Sequence, residues 1–192
     1  MTAVEFVTRI IGAFEKLAIP YLTVGSFSVN VYGDPRSTKD ADFVVQMDNT
    51  PITRLMAELG GDFELEAQMR FETITATSCQ RIFHRDTAFM IELFLLSDEA
   101  HDRERFARRV RGNVGGVQAW VPTAEDVVIT KLRWSRQGNR QKDVDDVQNV
   151  IDIQLPKLDL PYIRHWCDQH GTRSLFERLL LESQQFEQEN PP

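Results

Sequence analysis

Two aspartates set one residue apart, Asp40 and Asp42, carry the clearest chemical signal in this sequence. Side chains alternate across a strand, so in an extended segment both carboxylates point to one side. Held that close, they repel unless a positive charge sits between them. A hard divalent cation meets that need, because Mg²⁺ takes oxygen ligands and leaves room for phosphate oxygens. Upstream, Gly25-Ser26 joins the apolar stretch Tyr21–Val24 to Phe27–Tyr32, which reads as a helix. Glycine lets the backbone approach a ligand closely, and a helix N-terminus presents free N–H groups to an anion. A phosphate site and a metal site would then lie side by side. An isolated Asp-x-Asp is usually a solvated strand end, and Gly-Ser alone says less. The ordered combination carries the weight.

Glu92 is a third element. It sits inside Phe89-Met90-Ile91-Glu92-Leu93-Phe94-Leu95, a segment otherwise apolar on both faces. Burying an unpaired carboxylate costs on the order of several kcal/mol, so a shared metal would compensate it. The alternative is an edge strand with Glu92 facing water, and the sequence leaves both open. Lys131, Arg133, Arg136, Arg140 and Lys142 are cations on a predicted helical stretch. Lys131 and Arg133 do not share a helix face, so they cannot all serve one ligand. Lys131 is the strongest anion-binding candidate, against the ordinary reading of a solvated helix end. Asp143 and Asp146 share a face and are read as partners for Lys131 or Arg140. Arg103, Arg105, Arg108, Arg109 and Arg111 alternate with Asp102 and Glu104 and read as a solvated helix. No histidine pairs with a serine or cysteine at a recognised spacing. Trp120, Trp134 and Trp166 read as core anchors, with Trp134 the one placed beside the basic stretch.

The elements that must position these groups follow from pattern. Val4, Val7, Ile10, Ile11, Phe14 and Leu17 recur at helical spacing, which predicts a helix from Thr2 to Leu17, stopped by Pro20. Lys39–Met47 reads as a strand, and Pro51–Leu59 as a helix closed by Gly60-Gly61. Phe63–Glu66, Phe71–Thr77, Gln80–His84 and Ala88–Leu96 are candidate strands. Asp98–Arg109 reads as a charged helix, and Val110–Val114 with Val117–Val121 as a hairpin about Gly115-Gly116. From Thr123 the chain reads as helices separated by Gln137-Gly138-Asn139, Pro156 and Gly171, with Glu182–Pro192 expected to fray. The fold class is α+β: a mixed or antiparallel small sheet flanked by helices over residues 1–122, then a C-terminal helical region over 123–192.

The chain has 192 residues, a net charge of −7, 42% hydrophobic and 27% charged residues. That balance suits a globular protein with its own core. The acidity argues against nucleic-acid or membrane-surface binding driven by bulk charge. The N-terminus lacks a basic lead and apolar block, and no apolar run approaches the roughly 20 residues that span a bilayer. Two cysteines, Cys79 and Cys167, fit free thiols in a reducing cytoplasm.

Gly25-Ser26, a helix, then Arg36-Ser37-Thr38-Lys39-Asp40-Ala41-Asp42 and a later strand acid resemble the nucleotidyltransferase superfamily of the DNA polymerase beta type. The spacing from Gly25 to Asp40 is similar to that of tRNA CCA-adding enzymes. The Arg36–Asp42 wording is closer to bacterial stand-alone members, including the AbiEii-type toxins. Pro122-Thr123-Ala124-Glu125-Asp126, Lys131-Leu132-Arg133 and Arg140-Gln141-Lys142-Asp143 resemble that group as well, so the likeness covers residues 20–150. The resemblance implies a nucleotidyltransferase fold and transfer of NMP from a nucleoside triphosphate to an acceptor hydroxyl, on RNA or protein. It implies Mg²⁺ or Mn²⁺ held by Asp40, Asp42 and Glu92, with these three as catalytic residues. Gly25, Ser26, Arg36, Thr38 and Lys131 would bind the nucleotide. The family usually carries Asp at the third position, so Glu92 departs from the pattern; Glu64 and Glu72, in more polar surroundings, are the other acids available. Against the enzyme stand two readings: a nucleotide-binding or regulatory module on the same fold without turnover, and a toxin–antitoxin-type interaction protein.

Overall fold

The structure is a computed structural model, which describes residues 2–47, 50–74, 76–138 and 140–189. Helix α1 (Ala3–Lys16) opens on a capping box: the Glu5 N–H donates to Thr2 Oγ1 at 3.2 Å, and the Thr2 N–H donates to the Glu5 carboxylate at 2.7 Å. Its apolar stripe buries Phe6, Val7, Ile10, Ile11 and Phe14. The chain then runs through β1 (Tyr21–Val24), α2 (Gly25–Tyr32), β2 (Asp40–Val45), α3 (Ile52–Leu59), β3 (Phe63–Leu65), β4 (Arg70–Glu72), β5 (Thr77–His84) and β6 (Met90–Leu95). Helix α4 (Ala100–Ala107) and the hairpin β7 (Val110–Val114) and β8 (Val117–Val121) follow.

Among the described residues, the main sheet has the order β1-β2-β6-β5-β3, with β4 paired to β5. The sheet is mixed: β2 and β6 run parallel, while β1–β2, β5–β6, β3–β5 and β4–β5 are antiparallel. Alternation divides its faces. Ala41, Phe43, Val45, Ile91 and Leu93 point one way and join the α1 and α3 side chains in the main core, each no more than 1% exposed. Each of the four larger side chains contributes about 1.5–3 kcal/mol on burial. Leu22, Val44 and Phe94 point the other way, where Phe106 of α4 covers them.

The chain folds as two compact units. The first holds residues 1–31 and 36–122, and the second 32–35 and 123–192. The second contains α5 (Ala124–Gly138), α6 (Gln141–Gln154), a 3-10 turn (Leu155–Lys157), α7 (Leu160–His170) and α8 (Arg173–Glu189). Asp159 caps α7 by accepting from the Tyr162 N–H at 3.0 Å, and Gly171, at φ +66°, closes it. Residues 32–35 are held inside this unit. Gln154 Nε2 donates to the Tyr32 carbonyl at 2.9 Å, and the Asp34 N–H donates to Asn149 Oδ1 at 2.7 Å.

Three sequence expectations shift. The strand expected over Phe71–Thr77 ends at Glu72 and turns through Ala76, at φ +51°; Thr75 lies outside the described residues. The C-terminal segment stays helical through Glu189, with buried Ser183 accepting from Gln148 Nε2 of α6; residues 190–192 lie outside the described residues, as does Asn139. Helix α4 is not solvated all round: Asp102 and Arg105 are 3% and 5% exposed and form an ion pair at 2.9 Å, and the Ser97 hydroxyl donates to Asp102. No helix among the described residues is long and apolar enough to cross a membrane.

Candidate active site

Four side chains form a row across the first unit's sheet. Val24 on β1 lies opposite Asp42 on β2, Asp42 opposite Glu92 on β6, and Glu92 opposite Arg81 on β5. Strand neighbours stand about 4.8 Å apart, so Asp42 and Glu92 are adjacent. Asp40 shares their face two residues back, opposite Met90, and is exposed at the start of β2. The sheet register thus brings Asp40, Asp42 and Glu92 to one face.

Gly25 begins α2 directly after β1, at φ +63°. A Cβ built on it would lie 1.9 Å from Asp42 Oδ2. The strand-to-helix turn and the Asp42 carboxylate therefore occupy adjoining space that only glycine leaves clear. The turn is braced from within, since Ser28 Oγ donates to the Gly25 carbonyl at 2.9 Å. Ser26 is buried, at 8% exposure. Its neighbour Phe27 and residue Val29 anchor the short helix in the core.

Arg36 and Thr38 lie on the connection into β2. The Arg36 N–H donates to Asn30 Oδ1 at 3.1 Å, and Asn30 Nδ2 donates to the Arg36 carbonyl at 2.8 Å. Thr38 Oγ1 accepts from the Asp40 N–H at 3.3 Å and lies 3.2 Å from the Asp40 carbonyl. Asn30 and Thr38 thus fix the backbone on either side of this loop. Asn30 had no signal in the sequence, because its role depends on a clamp to a residue beyond its own helix.

Glu92 is not on an edge strand. Its strand is paired on both sides, and its side chain is 20% exposed. Arg81 Nε donates to Glu92 Oε1 at 2.6 Å, and Arg81 Nη2 stands 2.6 Å from the same oxygen. The field of this cluster reaches Cys79, whose thiol is pushed up to about 12, first by burial and then by Glu92, with Asp42 adding to it. Glu64 stands 3.8 Å from Arg85, and Glu72 accepts from the Ile74 N–H; neither residue is a strand neighbour of Asp42. Arg81 escaped sequence reading because its place beside Glu92 exists only once β5 and β6 pair.

Lys131 lies in the second unit. Its Nζ stands 2.8 Å from Asp143 Oδ1 and 2.8 Å from Asp146 Oδ2, both buried carboxylates. Arg140 adds a 3.2 Å contact to Asp143. The Lys131 charge is therefore shared by two acids of α6, which lowers what it can offer an added anion.

Asp40 and Asp42, on one face beside a glycine cradle that a Cβ would fill, suit a small oxygen-seeking cation and the phosphate it carries. Glu92 is engaged by Arg81, and among the described residues no group of three or more His, Cys, Asp or Glu side chains is gathered as a metal cluster. A cavity of about 150 Å³ lies on the opposite face of the sheet, lined by Met47, Ile52, Met69, Leu93 and Leu95 among others, away from the carboxylates.

No protein-family model matches the sequence, and no curated protein does. Solved structures do match. The crystal structure of ANT(2")-Ia in complex with adenylyl-2"-tobramycin aligns with a TM-score of 0.60 at 12% identity, over 89% of this chain and 98% of that one. The solution structure of the antibiotic-resistance factor ANT(2'')-Ia gives 0.57 at 10% identity, over 97% of each. An antigenic nucleotidyltransferase-like protein from Paracoccidioides brasiliensis gives 0.55 at 19% identity, over 91% of this chain and 90% of that one. With its small mixed sheet, flanking helices and C-terminal helices, the chain has the nucleotidyltransferase fold.

Proposed function

We propose that this protein is a Mg²⁺-dependent nucleotidyltransferase that moves NMP from a nucleoside triphosphate to an acceptor hydroxyl. The observation that carries the reading is the cleared space between Gly25 and Asp42, where a Cβ would lie 1.9 Å from the carboxylate. Asp40, Asp42 and Glu92 would hold the cation, Mg²⁺ or Mn²⁺, which when bound acidifies the attacking hydroxyl and offsets charge on the departing pyrophosphate. The N–H groups at Gly25 and Ser26 orient the phosphates at the start of α2. Arg36 supplies a positive charge beside the entrance of β2, and Thr38 holds that entrance in place. Glu92 receives the proton of the acceptor hydroxyl as its oxygen attacks the α-phosphorus and the bond to pyrophosphate breaks. The acceptor is RNA, protein or, by analogy with the adenylylated tobramycin of one structural neighbour, a small polyhydroxylated molecule. The Arg36–Asp42 wording resembles that of the AbiEii-like stand-alone group. Two buried free thiols, Cys79 and Cys167, fit a cytoplasmic setting.

The experiment is incubation with each labelled nucleoside triphosphate, Mg²⁺ and cellular RNA, protein or small-molecule extract. Wild type transfers label, and Asp40→Asn transfers it on the order of a thousandfold more slowly. Equal transfer by both proteins sinks the proposal. One observation favours a second reading, a nucleotide-binding module without turnover: Glu92 is bound to Arg81. Retained nucleotide binding with no transfer by wild type would select it.

A further inference from the structure

We propose that Arg81 is a latch, holding the Glu92 carboxylate until a divalent cation replaces the guanidinium as its counter-ion. The inference rests on the metal-site reading above and adds a positioning residue to it.

The row Asp42–Glu92–Arg81 sets two carboxylates opposite each other on neighbouring strands, a destabilising arrangement for like charges. Arg81 offsets it from the far side. The contact is made in an exchangeable way. An Arg–carboxylate pair is strongest as a fork, with two nitrogens on two oxygens. Here Nε and Nη2 both fall on Oε1. The pair is also open to solvent in part, with side chains 26% and 20% exposed, so an ion from water can reach it. Arg81 has a second acid within its field, Glu66, which Arg70 already engages through two hydrogen bonds of 3.1 and 3.0 Å. A released Arg81 therefore remains near negative charge. The exchange keeps Glu92 paired: the monovalent guanidinium leaves as a divalent cation arrives, whose extra charge also offsets Asp42, and no covalent bond changes.

The test is calorimetric titration of the full chain with Mn²⁺ alone, without nucleotide. Arg81→Met removes the competitor and should tighten Mn²⁺ binding about tenfold. In the double variant Arg81→Met with Glu92→Gln that gain should vanish, because the freed carboxylate is gone. A merely structural Arg81 would give equal or weaker binding in Arg81→Met, and either result overturns the latch. If circular dichroism shows Arg81→Met unfolded, Arg81→Gln is read by the same criterion, since it keeps a neutral hydrogen bond to Glu92. The underlying site is read separately. Binding that is lost in Asp42→Asn yet unchanged in Arg81→Met overturns the latch alone. No Mn²⁺ binding by wild type or either Arg81 variant overturns the latch and the metal-site reading together.

Discussion

At the scale of single residues, Gly25 is the most constrained position in the candidate site. Its φ of +63° is costly for any side chain, and a methyl group there meets Asp42 Oδ2 at 1.9 Å. Gly25→Ala should therefore act twice. The backbone strain costs about 1–2 kcal/mol, read as a few degrees in Tm. The displaced carboxylate should lower transferase activity by about a hundredfold, well beyond the stability effect. An alanine variant with wild-type turnover would show that Asp42 is not needed where the structure puts it. The candidate residues legible in the sequence share one property: their signal is local. Asp40 and Asp42 stand one residue apart, and Gly25-Ser26 marks its own turn. Arg81 and Asn30 were illegible because their partners, Glu92 and Arg36, are assigned by strand pairing and loop closure.

At the scale of elements, patterns with a strict period were readable and one-sided burial was not. The α1 stripe and the β7–β8 hairpin about Gly115-Gly116 follow directly from spacing. Helix α4 misleads, because its charged composition conceals the buried Asp102–Arg105 pair. Charge on a helix says it is solvated only if no partner charge lies one turn away. In α5 and α6 the spacing spoke more plainly: Asp143 and Asp146 read as partners for Lys131 or Arg140, and Lys131 bridges Asp143, 1% exposed, and Asp146, 6% exposed. Lys131→Met should destabilise the protein by about 3 kcal/mol, the low end for breaking a buried pair, since Arg140 still contacts Asp143. Urea denaturation would measure it, and adding Asp143→Asn and Asp146→Asn should recover much of the loss. A Lys131→Met protein as stable as wild type would mean that the triad contributes nothing.

At the scale of the whole molecule, buried neutral acids set an alkaline limit. Burial pushes Tyr21 and Tyr32 from 10.0 to about 12, with Glu15 adding to the shift at Tyr21. Cys79 rises from 9.0 to about 12 and Cys167 to about 11, again chiefly through burial. Each group holds its proton longer folded than unfolded. The stability linked to it is complete below the unfolded value, about 9 for the thiols and 10 for the phenols. It is lost as pH rises through the folded value. Tm should be steady from pH 7 to 9 and fall between pH 9 and 12, with part of that fall removed in Cys79→Ala. A Tm that holds level to pH 12 would contradict the burial of these groups. The division of the chain has a different kind of consequence. Residues 32–35 belong with the C-terminal helices, while the segments on either side, carrying Gly25 and Asp40, belong with the sheet. No single cut separates the two units. Truncation after Pro122 would leave Tyr32 and Asp34 without Gln154 and Asn149. Excising either unit whole would therefore need the chain to be cut on both sides of residues 32–35 as well as after Pro122.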